Sequence, residues 1–180
     1  MSKQETWDIL LLKTVKLYET QSKCAAKQVC AIIVEETDSG YNVLSIGLNG
    51  TPAGHDNCNE IWKRTEDNKW FNKRQNKVIE NGHKQWSEAY EIHAEVNALS
   101  KCNSRGISVK GNTIFISYSP CLHCAKMLVA FGISRIVFIN KFDNFDDTVK
   151  DYLISNGINC FQYSEDFKLE EVWWGVKYAF

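Results

Sequence analysis

The sequence predicts a three-layer α/β/α fold with a mixed sheet between helices. Three observations predict it: an amphipathic opening segment followed by two paired apolar runs, a C-terminal half in which helix and strand patterns alternate, and glycine or asparagine stops at the junctions. Residues 3–20 carry Trp7, Leu10, Leu11, Val15 and Tyr18 at helical spacing. Val29 to Val34 is apolar and β-branched, and Val43 to Leu48 follows a turn at Asp38-Ser39-Gly40, so the two read as a strand pair. A polar, tryptophan-bearing stretch from about 50 to 90 shows no convincing strand pattern. Segments of this kind inside compact domains are functional or held from outside. Beyond it the spacing predicts a helix over 93–103, a strand over 113–118, a helix over 121–131 ending at Gly132 and a strand over 135–139. A helix near 145–155 stops at Asn156-Gly157, a strand follows at 158–163, and a last helix covers 167–178. Crossovers between the later strands make them mostly parallel, while the opening hairpin makes the sheet mixed. With no repeat or Pro/Gly-rich linker, residues 1–180 read as a single domain carrying a polar insertion at about 50–90.

Composition narrows the class of function. Across 180 residues, 44% are hydrophobic and 24% charged, a globular balance with a formal net charge of -1. That balance argues against DNA or RNA as the main partner, because such proteins carry a basic excess. It leaves room for a small phosphorylated ligand, which needs only a few local cations or a helix N-terminus. No apolar stretch approaches a membrane span, and the start MSKQETWDILLLK lacks a signal-peptide cleavage pattern, so the expected compartment is the cytoplasm. Seven cysteines there read as thiols or metal ligands, not disulfides.

The chemistry concentrates in His93-Ala94-Glu95 and Pro120-Cys121-Leu122-His123-Cys124, each at the start of a predicted helix. Cys121 and Cys124 are three apart, so one helical turn aims both sulfurs the same way. A helix N-terminus also favours the thiolate form. One imidazole and two thiolates leave the fourth tetrahedral position of zinc open, as a catalytic site requires, and zinc so held acidifies a water to pH ~7. Glu95 separates an enzyme from a zinc staple: a carboxylate beside the metal accepts the water's proton. This pairing of H-x-E with P-C-x-x-C is the general signature of zinc deaminases acting on nucleobases. His123, between the two cysteines, reads as facing elsewhere, and Cys30, Cys102 and Cys160 as small core residues.

With those residues in hand, the chain resembles the deoxycytidylate deaminases of the cytidine and deoxycytidylate deaminase family, their bacteriophage branch in particular. The resemblance runs through Ser22-Lys23-Cys24, Val29 to Ile33, Asn49-Gly50-Thr51-Pro52-Ala53-Gly54, Glu91 to Ala98, and Ser119 to Lys126. Cys30 stands where the family often has glycine, a departure that concerns packing and not chemistry. The resemblance implies a cytidine-deaminase-like fold with a five-stranded sheet and a homohexamer. It implies hydrolytic deamination of dCMP to dUMP and ammonia, which supplies precursor for thymidylate synthesis. Glu95 would pass a proton from the attacking water to ring N3 and then help protonate the departing amino group. Asn49 would bind the sugar 3′-hydroxyl and the backbone at Ala94 would read the cytosine edge. Activation by dCTP and inhibition by dTTP are implied as well.

The same resemblance implies a second, structural zinc on Cys24, Cys58, His83 and Glu91. Two thiolates, an imidazole and a carboxylate complete a closed shell, and one ion would tie the insertion to the core. The alternative reading of the same residues takes the cysteines as plain thiols, His83 as a surface residue and Glu91 as a solvated one, and the metal is favoured over it.

Other readings stay open at this level. The substrate could be dCTP, alone or beside dCMP, with Arg135 and Lys141 as candidate phosphate contacts. A deaminase of nucleic acid would share the motif, and Lys63, Arg64, Lys69, Lys73, Arg74 and Lys77, interleaved with Trp62, Trp70 and Phe71, make the insertion locally basic. A non-catalytic zinc module is a reading from another class. Glu95 and the three-ligand set speak against it.

Overall fold

The computed structural model describes residues 1–142 and 145–176. Helix α1 (Lys3–Glu19) is opened by a capping box in which Ser2 and Glu5 each satisfy the other's backbone N–H. It leads to strand β1 (Cys30–Thr37) and strand β2 (Gly40–Leu48), an antiparallel hairpin. The insertion follows as α2 (Cys58–Ile61), β3 (Trp62–Arg64), β4 (Trp70–Asn72), β5 (Lys77–Val78) and α3 (Gly82–Tyr90). Then come α4 (Ala94–Ser104), β6 (Thr113–Tyr118), α5 (Leu122–Ala130), β7 (Arg135–Asn140), α6 (Asp147–Ser155), β8 (Asn159–Tyr163) and β9 (Leu169–Trp173).

The main sheet has the order β2-β1-β6-β7-β8-β9. Strands β6, β7 and β8 run parallel, and the pairs β1–β2, β1–β6 and β8–β9 are antiparallel. The two-residue period of the strands divides the interior into two cores. Ala31, Ile33, Ile114, Ile116, Ile136 and Phe138 face α4, α5 and α6, while Cys30, Ile32, Val34, Phe115, Val137 and Ile139 face α1. This is the predicted three-layer arrangement, with Cys30, Cys102 and Cys160 buried in it.

Four expectations need correction. The sheet has six strands where five were expected, and the sixth is β9, formed where a helix was predicted over 167–178. Leu169, Val172 and Trp173 have helical spacing, but β8 would otherwise end the sheet with unpaired backbone groups, and tertiary pairing overrides the local pattern. Positions 177–178 of that helix lie outside the described residues. The insertion contains the small antiparallel sheet β3-β4-β5, whose strands of two or three residues are too short to show alternation. On α1 the buried stripe is Asp8, Leu11, Leu12 and Val15, an i, i+3, i+4, i+7 set, and Leu10 and Tyr18 point outward.

Asp8 is the surprise in that stripe. It is 1% exposed and accepts hydrogen bonds from both guanidinium nitrogens of Arg135, from Tyr163 Oη at 3.1 Å and from Gln4 Nε2 at 3.1 Å. Arg135 is therefore spent on a buried ion pair joining α1 to β7, and the phosphate role offered for it falls. A charge of this kind is tolerated only with its partners in place.

One glycine positions the catalytic helix. A Cβ at Gly47 on β2 would stand 2.1 Å from the Ala94 carbonyl oxygen and 2.5 Å from the Ala98 nitrogen. Only a residue without a side chain lets the first turn of α4 press against the sheet there.

Candidate metal centre and active site

The first donor group is built from two helix starts. His93 is the N-cap of α4 and Cys121 the N-cap of α5, both in extended conformation, and the Cys121 sulfur accepts the N–H of Cys124 at 3.5 Å. His93 Nδ1 lies 3.6 Å from Cys121 Sγ and 3.4 Å from Cys124 Sγ. Zn–S near 2.3 Å and Zn–N near 2.0 Å in a tetrahedron place sulfur and nitrogen about 3.5 Å apart, so the three donors fit the ion. His123 is exposed and stands apart from the donor group, as expected.

The proton inventory follows from the same contacts. A hydrogen bond from Cys124 and the nearby His93 hold Cys121 down at about 3, as a thiolate. Hydrogen bonding to that thiolate holds His93 up at about 9, and the shared proton drives Cys124 upward. Burial raises Glu95, which is 4% exposed and sits beside Cys124. Below pH 9 a metal must therefore displace two protons, one from His93 and one from Cys124. Zinc affinity at this site should rise with pH, because binding releases protons from raised groups. Chelator competition at several pH values reads the slope; a pH-independent affinity would refute the proton inventory.

A second group assembles from the insertion and its flanks. Cys24, Cys58, His83 and Glu91 bring one donor atom each to within 4.8 Å of one another. Cys58 Sγ is 3.1 Å from His83 Nε2, and Cys24 Sγ is 3.6 Å from Glu91 Oε2. The wall is aromatic: His83 stacks on Trp70 at 3.8 Å and meets the edge of Trp62 at 5.9 Å. A hydrogen bond with Cys58 lowers the Cys24 thiol to about 3, and burial raises Glu91 to about 7. Glu91 Oε1 is buried with no hydrogen-bond partner among the described residues, while Oε2 is the oxygen beside Cys24. All four residues fit a closed zinc shell.

Between the two groups lies a cavity of about 240 Å³. Asn49, Ala94 and Glu95 line it, with His93 from one donor group and Cys24, His83 and Glu91 from the other. Gly50 and Ile92 exchange backbone hydrogen bonds of 3.1 and 2.8 Å, which fixes the Asn49 loop against the segment between Glu91 and His93. Lys27 and Phe142 also line the cavity and were not singled out from sequence. Lys27 had no signal beyond its place after Cys24. Of the other candidate cations, Lys141 pairs with Glu171 at 2.9 Å. In the insertion, Arg64 stacks on Trp70 and Lys63 on Phe71, Arg74 pairs with Asp56, and Lys73 bonds the Asn59 carbonyl. The basic run is largely committed to local partners.

The comparisons agree with this geometry. The family profile described as the cytidine and deoxycytidylate deaminase zinc-binding region matches residues 5–140. Deoxycytidylate deaminase of Enterobacteria phage T4 is 29% identical over 173 residues, covering 84% of this chain and 86% of the relative. The Homo sapiens deoxycytidylate deaminase is 30% identical over 151 residues, covering 83% of this chain and 74% of the relative. Among solved structures, dCMP deaminase from the cyanophage S-TIM5, in complex with dCMP and dUMP, superposes with a TM-score of 0.65 at 26% identity, covering 90% of this chain and 98% of that one. With that profile matched over residues 5–140 and both halves of the zinc signature brought together at His93, the chain belongs to the cytidine and deoxycytidylate deaminase family.

Proposed function

We propose that the chain is a zinc-dependent deaminase converting dCMP to dUMP and ammonia. The observation that carries this is one cavity wall presenting His93, Glu95 and Asn49 together, with Cys121 and Cys124 beside His93. His93, Cys121 and Cys124 would hold the catalytic zinc, and bound zinc supplies an acidified water as nucleophile for ring C4. Glu95 would take a proton from the attacking water, deliver it to ring N3, and then help protonate the amino group so that ammonia leaves. Burial raises its proton affinity, which suits a shuttle that must both accept and donate. Asn49 binds the sugar 3′-hydroxyl, and the Ala94 backbone reads the cytosine edge.

Cys24, Cys58, His83 and Glu91 form in this reading a second, structural zinc site, supported by their closed donor set. A homohexamer, activation by dCTP and inhibition by dTTP are supported by the family resemblance. Residues 1–180 read as one deaminase domain, and seven unpaired thiols suit the cytoplasm, the host's if the gene is a phage's.

Deamination of dCTP is the nearest second reading. Lys27 is the one Lys or Arg side chain among the described residues lining the cavity, and its ammonium stands over the rings of Tyr118 and Phe142; the preference for dCMP is supported by the family resemblance. Ammonia release should be fastest with dCMP and weak with deoxycytidine or dCTP, measured with and without dCTP or dTTP as effector. Turnover of dCTP ahead of dCMP would reverse the substrate assignment.

A further inference from the structure

The carboxamide of Asn49 is held by three hydrogen bonds from one loop. Its Oδ1 accepts the Ser22 hydroxyl at 2.6 Å and the Val29 N–H at 2.8 Å, and its Nδ2 donates to the Lys27 carbonyl at 2.9 Å. Both lone pairs of the oxygen are thereby taken. Toward the cavity Asn49 has only its second Nδ2 hydrogen, so it meets a ligand as a donor and requires an acceptor there. The backbone bonds to Val29 and Lys27 set that polarity, and Ser22 adds the second bond that holds it. The Ser22 hydroxyl oxygen accepts the Cys24 N–H at 3.2 Å, which turns its single proton toward Asn49, where Oδ1 at 2.6 Å is nearer than the backbone carbonyl oxygen at 3.0 Å, and the side chain is buried at 4% exposure. The Gln28 side chain ties down the Ser22 carbonyl at 2.7 Å. A relay thus runs from the backbone of Cys24, a member of the four-donor group, through one hydroxyl to the residue facing the sugar.

We propose that Ser22 is a positioning residue for substrate recognition, orienting Asn49 as a hydrogen-bond donor to the sugar 3′-hydroxyl. This rests on the reading of Asn49 as the sugar contact. A Ser22→Ala substitution removes one of two bonds to the carboxamide oxygen and loosens the donor without touching Glu95 or a metal ligand.

The test compares dCMP with its 2′,3′-dideoxy analogue in wild type, Ser22→Ala, Asn49→Ala and the double variant, with zinc content measured for each. In Ser22→Ala the KM for dCMP rises roughly tenfold, the scale of one buried hydrogen bond, with kcat little changed and zinc content at the wild-type level. Its preference for dCMP over the dideoxy analogue shrinks by a similar factor, and the double variant discriminates no less than Asn49→Ala alone. This ratio is independent of the fraction of active protein, so partial misfolding does not imitate it. Full discrimination retained by Ser22→Ala while Asn49→Ala loses it overturns the role of Ser22. Full discrimination retained by Asn49→Ala, with Ser22 intact, overturns the sugar contact and the proposal with it.

Discussion

Glu95→Gln should lower turnover of dCMP by about 10⁴-fold while the chain keeps its zinc. General acid–base groups contribute roughly 10² to 10⁴ in rate, and Glu95 serves both the proton to N3 and the proton to the leaving amine, which sets the upper end. Glutamine keeps the volume and the position at the start of α4, so neither helix nor metal donors are disturbed. In the metal-free protein burial raises the Glu95 carboxyl above the ordinary glutamate range. Metal analysis with ammonia-release kinetics checks the loss of turnover. A variant within tenfold of the parent would remove Glu95 from the proton path.

Cys58→Ser should release one zinc of two and open the insertion. Cys58 is 1% exposed, 3.1 Å from His83 and 3.3 Å from the Ala25 N–H, so its sulfur joins α2, α3 and the segment before β1. Serine nearly matches the thiol in size but is a poor ligand, so the effect comes from the metal and not from a void. Metal loss is among the few mechanisms that cost about 4 kcal/mol in one substitution. For a chain of this size that lowers the melting temperature by roughly 8–16 °C. Proteolysis should then cut first between 50 and 90. Two zinc ions and an unchanged melting temperature would dismiss the second site.

The catalytic residues were legible because local spacing fixes them: two cysteines three apart on one helical turn, and His93 two residues from Glu95. The parallel strands were legible as well, since short continuous apolar runs mark strands buried on both faces. What escaped depends on partners far along the chain. β9 exists because β8 lies beside it. Asp8 reads as the polar face of a helix until Arg135 and Tyr163 arrive from 127 and 155 residues away. The strands of the insertion are stabilised by stacking around His83, and Asn68, Asn76 and Asn81, at positive φ, make their turns. Ser22 was visible as part of a motif, but its bond to Asn49 crosses 27 residues.

The extended tripeptide Glu91-Ile92-His93 also governs what lengths of chain the protein tolerates. A two-residue period puts Glu91 and His93 on one wall of the cavity, each serving a different donor group. Adding or deleting a single residue here would turn one of them away and slip the Gly50 pairing by a step. The asparagine turns of the insertion can lengthen at small cost. Related chains should therefore vary in length at those turns and keep this tripeptide free of gaps, so that the two donor groups are inherited as one unit.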